Sequence, residues 1–204
     1  MNGKNHAIAG VGAGIALAIL CAKVGDVEGV VMAIPSAVVG AKLPDVDHVK
    51  TKQGKVFSAI RGLAPFIAVA SCLFYIYMVM YHGMRFNPIV ILIPVAVAWF
   101  LRDGTWFWGH RHGTHTLIFP LMFAAMYLCF RDTYPAIAIC LAGLNFGYLS
   151  HLATDTMTHD GCPLLYPITK KTISLSKIKS KEEKKCRALA IIFDVVLNVL
   201  VIIL

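Results

Sequence analysis

At 204 residues the chain suits one domain, and its apolar content of 58% with mean hydropathy +0.71 excludes an ordinary soluble fold and points to an integral membrane protein. A net charge of +8 would suggest nucleic acid in a soluble chain, but beside this much hydrocarbon it reads as Lys and Arg flanking membrane spans, with no nucleic-acid partner expected. The six cysteines are scattered, mostly within apolar segments and without CxxC pairing, which argues for small core residues over a disulfide framework.

Seven apolar segments follow one another: 7–22, 29–41, 63–81, 88–101, 116–130, 134–149 and 188–204. Several fall short of the ~20 residues a free-standing span requires, so they must borrow length from their flanks, tilt or remain partly embedded. The first reads as a core helix rather than a cleavable leader. The first two are rich in Gly, Ala and Val, which permits close helix packing. The expected fold is an all-α polytopic membrane helix bundle of six to seven helices, one domain over 1–204, with a basic loop at 168–187 inside it. If all seven segments cross the bilayer in alternation, 16 of the 19 Lys and Arg residues fall on the N-terminal side. The positive-inside rule then puts that side in the cytoplasm.

Four polar clusters sit at the edges of these segments, all on that same side. Lys4-Asn5-His6 precedes the first; a lone histidine there is ordinarily a surface residue. Leu43-Pro-Asp-Val-Asp-His48 follows the second, where Pro44 forces a turn and sets two carboxylates and an imidazole at the membrane edge. Such donors suit zinc, manganese or iron. Gly109-His-Arg-His-Gly-Thr-His-Thr116 carries three histidines in six residues, with Gly113 allowing a turn between His110 and His115. Arg111 adds a planar fork of donors matched to phosphate. The last cluster, 147–159, ends an apolar helix. If that helix continues, His151, Asp155 and His159 share one face, and a His and an Asp one turn apart form a bidentate half-site for a divalent ion. Thr154 and Thr158 could support the ligands by hydrogen bonds. Asp194 lies inside the last segment and must face the bundle or snorkel, with Asn198 one turn on as a neighbour. The Lys- and Ser-rich run at 170–185 reads as a solvated loop that draws anionic lipid by about 1 kcal/mol per basic residue.

The ordered set Leu43-Pro-Asp-x-Asp-His48, His110-Arg-x-x-Thr-His-Thr116 and Ser150-His-Leu-x-x-Asp155, with Thr158, Gly161, Tyr166-Pro167 and the early His6, resembles the YdjM-like family of inner-membrane-associated, metal-dependent hydrolases. The chain departs from that pattern at His112-Gly113, which makes His112 an extra candidate ligand. The family is similar in motif logic to zinc-dependent phospholipase C and single-strand nucleases. The resemblance implies a bacterial inner-membrane hydrolase of a phosphoester, such as a phospholipid or isoprenoid phosphate, with two or three zinc ions (manganese or iron as alternatives) at the cytoplasmic face. His6, Asp45, His48, His110, His115, His151 and Asp155 would be ligands. Asp47 would orient water or ligate, and Arg111 would stabilise phosphoryl charge. The competing expectation is a metal-binding carrier or sensor without turnover.

Overall fold

The computed structural model describes residues 1, 3–47, 52–83, 85, 86, 88, 91, 92, 95 and 113–204. They form six α-helices: α1 (Gly3–Lys23), α2 (Val27–Gly40), α3 (Lys52–His82), α4 (Ile118–Phe130), α5 (Pro135–Thr156) and α6 (Glu183–Ile203), with single 3-10 turns at Pro44–Asp47 and Gly113–His115. Among the described residues there is no strand, only an isolated antiparallel bridge between Cys162 and Ile173. The architecture is all-helical. α1, α5, α6 and the Gly62–His82 part of α3 are long and apolar enough to cross a membrane, whereas α2 and α4 are shorter. The segment expected at 88–101 lies mostly outside the described residues.

Four helices reach well beyond their apolar runs. α1 starts at Gly3, α3 at Lys52 and α6 at Glu183, and α5 continues to Thr156. His6 therefore belongs to the first turns of α1 instead of preceding the helix. Polar residues are helix-compatible when tertiary packing covers them, and apolar periodicity alone cannot see that.

The chain divides into two compact units. One comprises Met1–Asp45 and Arg111–Leu204, the other Val46–His110. In the second, α3 ends at His82 and is followed by Gly83, whose φ of 66° suits a glycine just past a helix end, and Tyr75 Oη donates to the Arg85 carbonyl (3.2 Å). In the first, α1 packs on α2, α5 and α6, and α5 also packs on α2 and α4. Small residues make those contacts close. A Cβ on Gly147 would overlap the Ala37 carbonyl, and one on Gly40 would overlap the Leu144 carbonyl, so α2 and α5 approach backbone to backbone. Asp26 caps α2 by accepting from Gly29 N–H (2.8 Å). Lys23, ending α1, donates to the Val201 carbonyl (2.9 Å) at the end of α6, satisfying a group that the helix leaves unpaired. Asp194 faces the bundle: its carboxyl fills the space a Cβ on Gly12 would need, and Asn198 Nδ2 donates to the carbonyls of Gly12 (3.1 Å) and Asp194 (2.8 Å).

At the opposite end from Lys23, five helix ends meet. Asn5 of α1 reaches the Glu183 carbonyl of α6 (3.4 Å), His151 of α5 reaches the Ala41 carbonyl after α2 (2.7 Å), and Leu117 N–H, entering α4, donates to the Leu164 carbonyl beyond α5 (3.0 Å). That end holds the polar clusters.

Candidate metal centre

The five donors arrive from four local structures. His6 is carried by the first turns of α1, Asp45 by the 3-10 turn that Pro44 opens, and His115 by the 3-10 turn before α4. His151 and Asp155 come from the last two turns of α5. The His115 turn is anchored from α5, because the Tyr148 hydroxyl donates to the Thr114 carbonyl. A buried phenol needs such a partner. An apolar cluster of Tyr148, Leu152 and Cys162, with Leu43, Leu117 and Phe119 packed on it, adjoins the donors.

The donor atoms converge. His6 Nε2 lies 3.3 Å from Asp155 Oδ1, and His115 Nε2 and His151 Nε2 each lie 3.7 Å from Asp155 Oδ2. Both of those imidazole nitrogens also stand 4.0 Å from Asp45 Oδ1, and they are 3.4 Å from each other. His6, His115, His151 and Asp155 are all buried, and Asp45 is the partly exposed member. Two triads can each hold an ion, His6–His151–Asp155 and Asp45–His115–His151, and they share His151. The rings of His6 and His151 stack with centroids 3.6 Å apart. The amino group of Met1 meets Asp155 Oδ1 at 2.6 Å, so a positive group already faces the carboxylate that an ion would engage.

The outer nitrogens settle which atom of each ring faces inward. His151 Nδ1 is held by the Ala41 carbonyl, which can only accept, so that nitrogen carries the proton and Nε2 keeps its lone pair. Thr154 Oγ1 donates to carbonyls of its own helix, Ser150 (2.9 Å) and His151 (3.0 Å), and therefore offers a lone pair to His6 Nδ1 at 3.4 Å. His115 Nδ1 lies 3.1 Å from Thr114 Oγ1. All three rings thus have an oxygen at Nδ1 and turn Nε2 toward the carboxylates, the usual support of metal-bound histidine. His6 Nε2 is buried without a hydrogen-bond partner among the described residues. Donors about 2.0–2.2 Å from one tetrahedral ion stand roughly 3.3–3.5 Å apart, close to the spacings here. The residues present fit a divalent ion.

Of the residues picked out from the sequence, His6, Asp45, His115, His151 and Asp155 come together. His48, His110, Arg111 and His112 lie outside the described residues, as does the side chain of Asp47. His159 leaves the set. α5 stops at Thr156, Gly161 turns the chain with φ 63°, and the His159 ring is exposed beside Asp160 (3.6 Å). Thr158 Oγ1 bonds the Asp155 backbone carbonyl (2.8 Å) and supports the helix end, not a ligand. Sequence reasoning missed the Ala41 carbonyl and the Tyr148 hydroxyl. Ala41 had one signal: a helix halted before Pro44 leaves its last carbonyls free for other donors.

Among the described residues, four helices long and apolar enough to cross a membrane, and imidazoles and carboxylates that could hold an ion at one end of the first unit, define a helical membrane protein with a candidate metal centre. The chain matches the YdjM inner membrane protein family over residues 1–203 and belongs to it. Inner membrane protein YdjM of Escherichia coli (strain K12) is 29% identical over 136 residues, which is 66% of this chain and 48% of that protein. The figures are the same for Inner membrane protein YdjM of Shigella flexneri. Uncharacterized protein YvsG of Bacillus subtilis (strain 168) is 28% identical over 169 residues, 83% of this chain and 75% of that protein. The chain spans about half the length of the two YdjM proteins it matches. No solved structure matches it.

Proposed function

We propose that this protein is a membrane-embedded, metal-dependent phosphoester hydrolase, zinc being the first candidate ion and manganese or iron the next. The observation that carries the reading is the inward convergence of the Nε2 atoms of His6, His115 and His151 on Asp155 and Asp45, each ring backed by an oxygen at Nδ1. In this reading His48 and His110 complete the ligand set, and a seventh helix covers 88–101. The site is similar to that of zinc-dependent phospholipase C and opens at the cytoplasmic membrane face. A bound ion supplies Lewis acidity toward a phosphoryl oxygen and makes water nucleophilic near neutral pH. The chain's own groups do the positioning. Ala41 and Thr154 aim the His151 and His6 rings, Asp155 offers one oxygen to each side of the cluster, and the adjoining apolar cluster keeps bulk water away. Asp47 orients the attacking water, and Arg111 neutralises phosphoryl oxygens. A site at the membrane edge suits a phospholipid or isoprenoid phosphate entering laterally from the leaflet. A carrier would keep its ligands near the bilayer midplane on interrupted helices, whereas these donors sit at helix ends, which favours hydrolysis.

Two measurements on purified protein test this. Elemental analysis should find zinc in the wild type and little in His151→Ala. Phosphate release from phosphatidic acid and polyprenyl phosphate should fall on the order of 100-fold or more in Asp155→Ala, the scale of removing one transition-state-stabilising group. A wild type that carries metal but is as inactive as Asp155→Ala across a broad lipid-phosphate panel would rule out the hydrolase.

A further inference from the structure

Between α5 and α6 runs a strap, residues 157–182, that the metal chemistry does not use. It is tied down against the end of α5. Leu175 N–H donates to the Thr156 carbonyl (2.7 Å), His159 N–H to the Ile178 carbonyl (2.8 Å), and Ser174 Oγ to the Thr158 carbonyl (2.7 Å), while Cys162 and Ile173 pair through both backbone groups (3.1 and 2.8 Å). Tyr166 and Cys162 are buried in it. A segment held this firmly leaves Ile168 90% and Leu175 74% exposed. Around them Lys170, Lys171, Lys177, Lys179, Lys181 and Lys184 are all exposed, and none pairs with a carboxylate among the described residues. The nearby acids are already engaged. Asp160 accepts from Ser180 (2.6 Å), Glu183 pairs with Arg187 (3.4 Å), and the Lys185 ammonium and Lys179 backbone hold the Glu182 carboxyl below its usual range.

From this juxtaposition we infer that the strap is a docking surface for the anionic headgroups of the bilayer: Ile168 and Leu175 enter the interface and the lysines engage lipid phosphates. Position selects this occupant over a soluble polyanion. The strap joins the last residue of one membrane-length helix to the first of another, so it lies at the level where headgroups begin. Apolar residues ringed by lysine match an interfacial segment, in which burial and charge attraction act together. Nucleic acid would use the charge and leave Ile168 and Leu175 in water. The inference does not depend on hydrolysis or on a bound metal. It also assigns the strap a role beside the donor cage, since Thr156 and Thr158, which anchor it, directly follow Asp155.

The test uses full-length protein in nanodiscs of phosphatidylcholine and phosphatidylglycerol, with bromine on the acyl chains of one lipid at a time. Ile168→Trp is made in a chain carrying Trp99→Phe, Trp106→Phe and Trp108→Phe. Brominated phosphatidylglycerol should quench it roughly twofold more than brominated phosphatidylcholine at equal mole fraction. Replacing Lys170, Lys171, Lys177 and Lys179 by Gln, or raising salt to ~0.5 M, should abolish the difference. In the wild type, trypsin should cut the strap several-fold more slowly in discs containing phosphatidylglycerol, a reading that needs no tryptophan replacement. Absence of quenching by either lipid, equal quenching that ignores the lysines, or oligonucleotide binding without lipid contrast would each overturn the inference.

Discussion

A hydroxyl on α5 decides which nitrogen a histidine on α1 turns to the cluster. Thr154 gives its proton to α5 carbonyls and turns a lone pair to His6 Nδ1, leaving Nε2 for the cluster. Thr154→Val keeps the shape and removes that acceptor. Zinc affinity, measured by competition with a chelating dye, should drop about 10-fold while the helical signal is unchanged, in the range seen for groups that support metal ligands. Affinity equal to wild type would show that His6 is oriented by packing alone. At this scale the sequence announced residue types but not their backs. His151 and Asp155 were legible because i, i+4 spacing on a helix is a geometric fact. The Ala41 carbonyl was not, since a backbone acceptor has no side-chain signature. His159 would have joined the face only had the helix continued, and nothing before the Thr156–Met157 boundary marks the stop. The signal comes later, at Gly161, whose positive φ turns the strap back on itself.

At the scale of helices, the cage depends on how closely α2 and α5 approach, because Ala41 follows α2 and His151 rides on α5. Gly147→Ala would set a methyl into the Ala37 carbonyl and push the helices apart. Overpacking of this kind costs about 1–3 kcal/mol, and here it should lower metal content together with thermal stability in detergent. The control is Gly62→Ala in α3, where a Cβ meets nothing within 4 Å. An exposed helical glycine should lose no stability on gaining a methyl and should gain about 0.5–1 kcal/mol. If both variants behave alike, close α2–α5 approach is not what holds the centre. The Gly- and Ala-rich character of the first two segments did forecast close packing. Helix lengths were forecast less well. Lys4, Asn5 and His6 look like a polar lead-in, yet all three belong to α1: Lys4 stays exposed, Asn5 is buried against the Glu183 carbonyl at the start of α6, and His6 is buried against α5. Likewise α5 runs past Leu149 because Ser150, Thr154 and Asp155 face the donor cluster instead of lipid.

For the whole molecule, an assumed alternation of seven spans puts the histidines and most Lys and Arg on one side, and among the described residues the donors of the first unit meet at one end. What sequence patterns could not supply was the register that lets residue 6 meet residue 155, because contacts across that separation are set by packing and not by local periodicity. An ion held by Asp45, His115, His151 and Asp155 would join the turns after α2 and before α4 to α5 in a single cross-link. Metal present at about a thousand times its dissociation constant stabilises by roughly 4 kcal/mol. For a chain of this size a chelator should then lower the melting temperature by about 8–16 °C, with recovery on adding zinc back. In His151→Ala the chelator should have no further effect. A wild-type melting temperature indifferent to both chelator and zinc would argue against a structural contribution from metal.

The shared imidazole sets a limit on how ions can divide the cage. An sp² nitrogen has one lone pair, and with Nδ1 committed to Ala41, His151 can serve a single ion at a time. The two triads are therefore rival tenants. Asp45, His115, His151 and Asp155 Oδ2 suffice for a tight first occupant, while His6 and Asp155 Oδ1 leave a second, poorly furnished berth. Loading should proceed in unequal steps, with the carboxylate of Asp155 as a bridge between them.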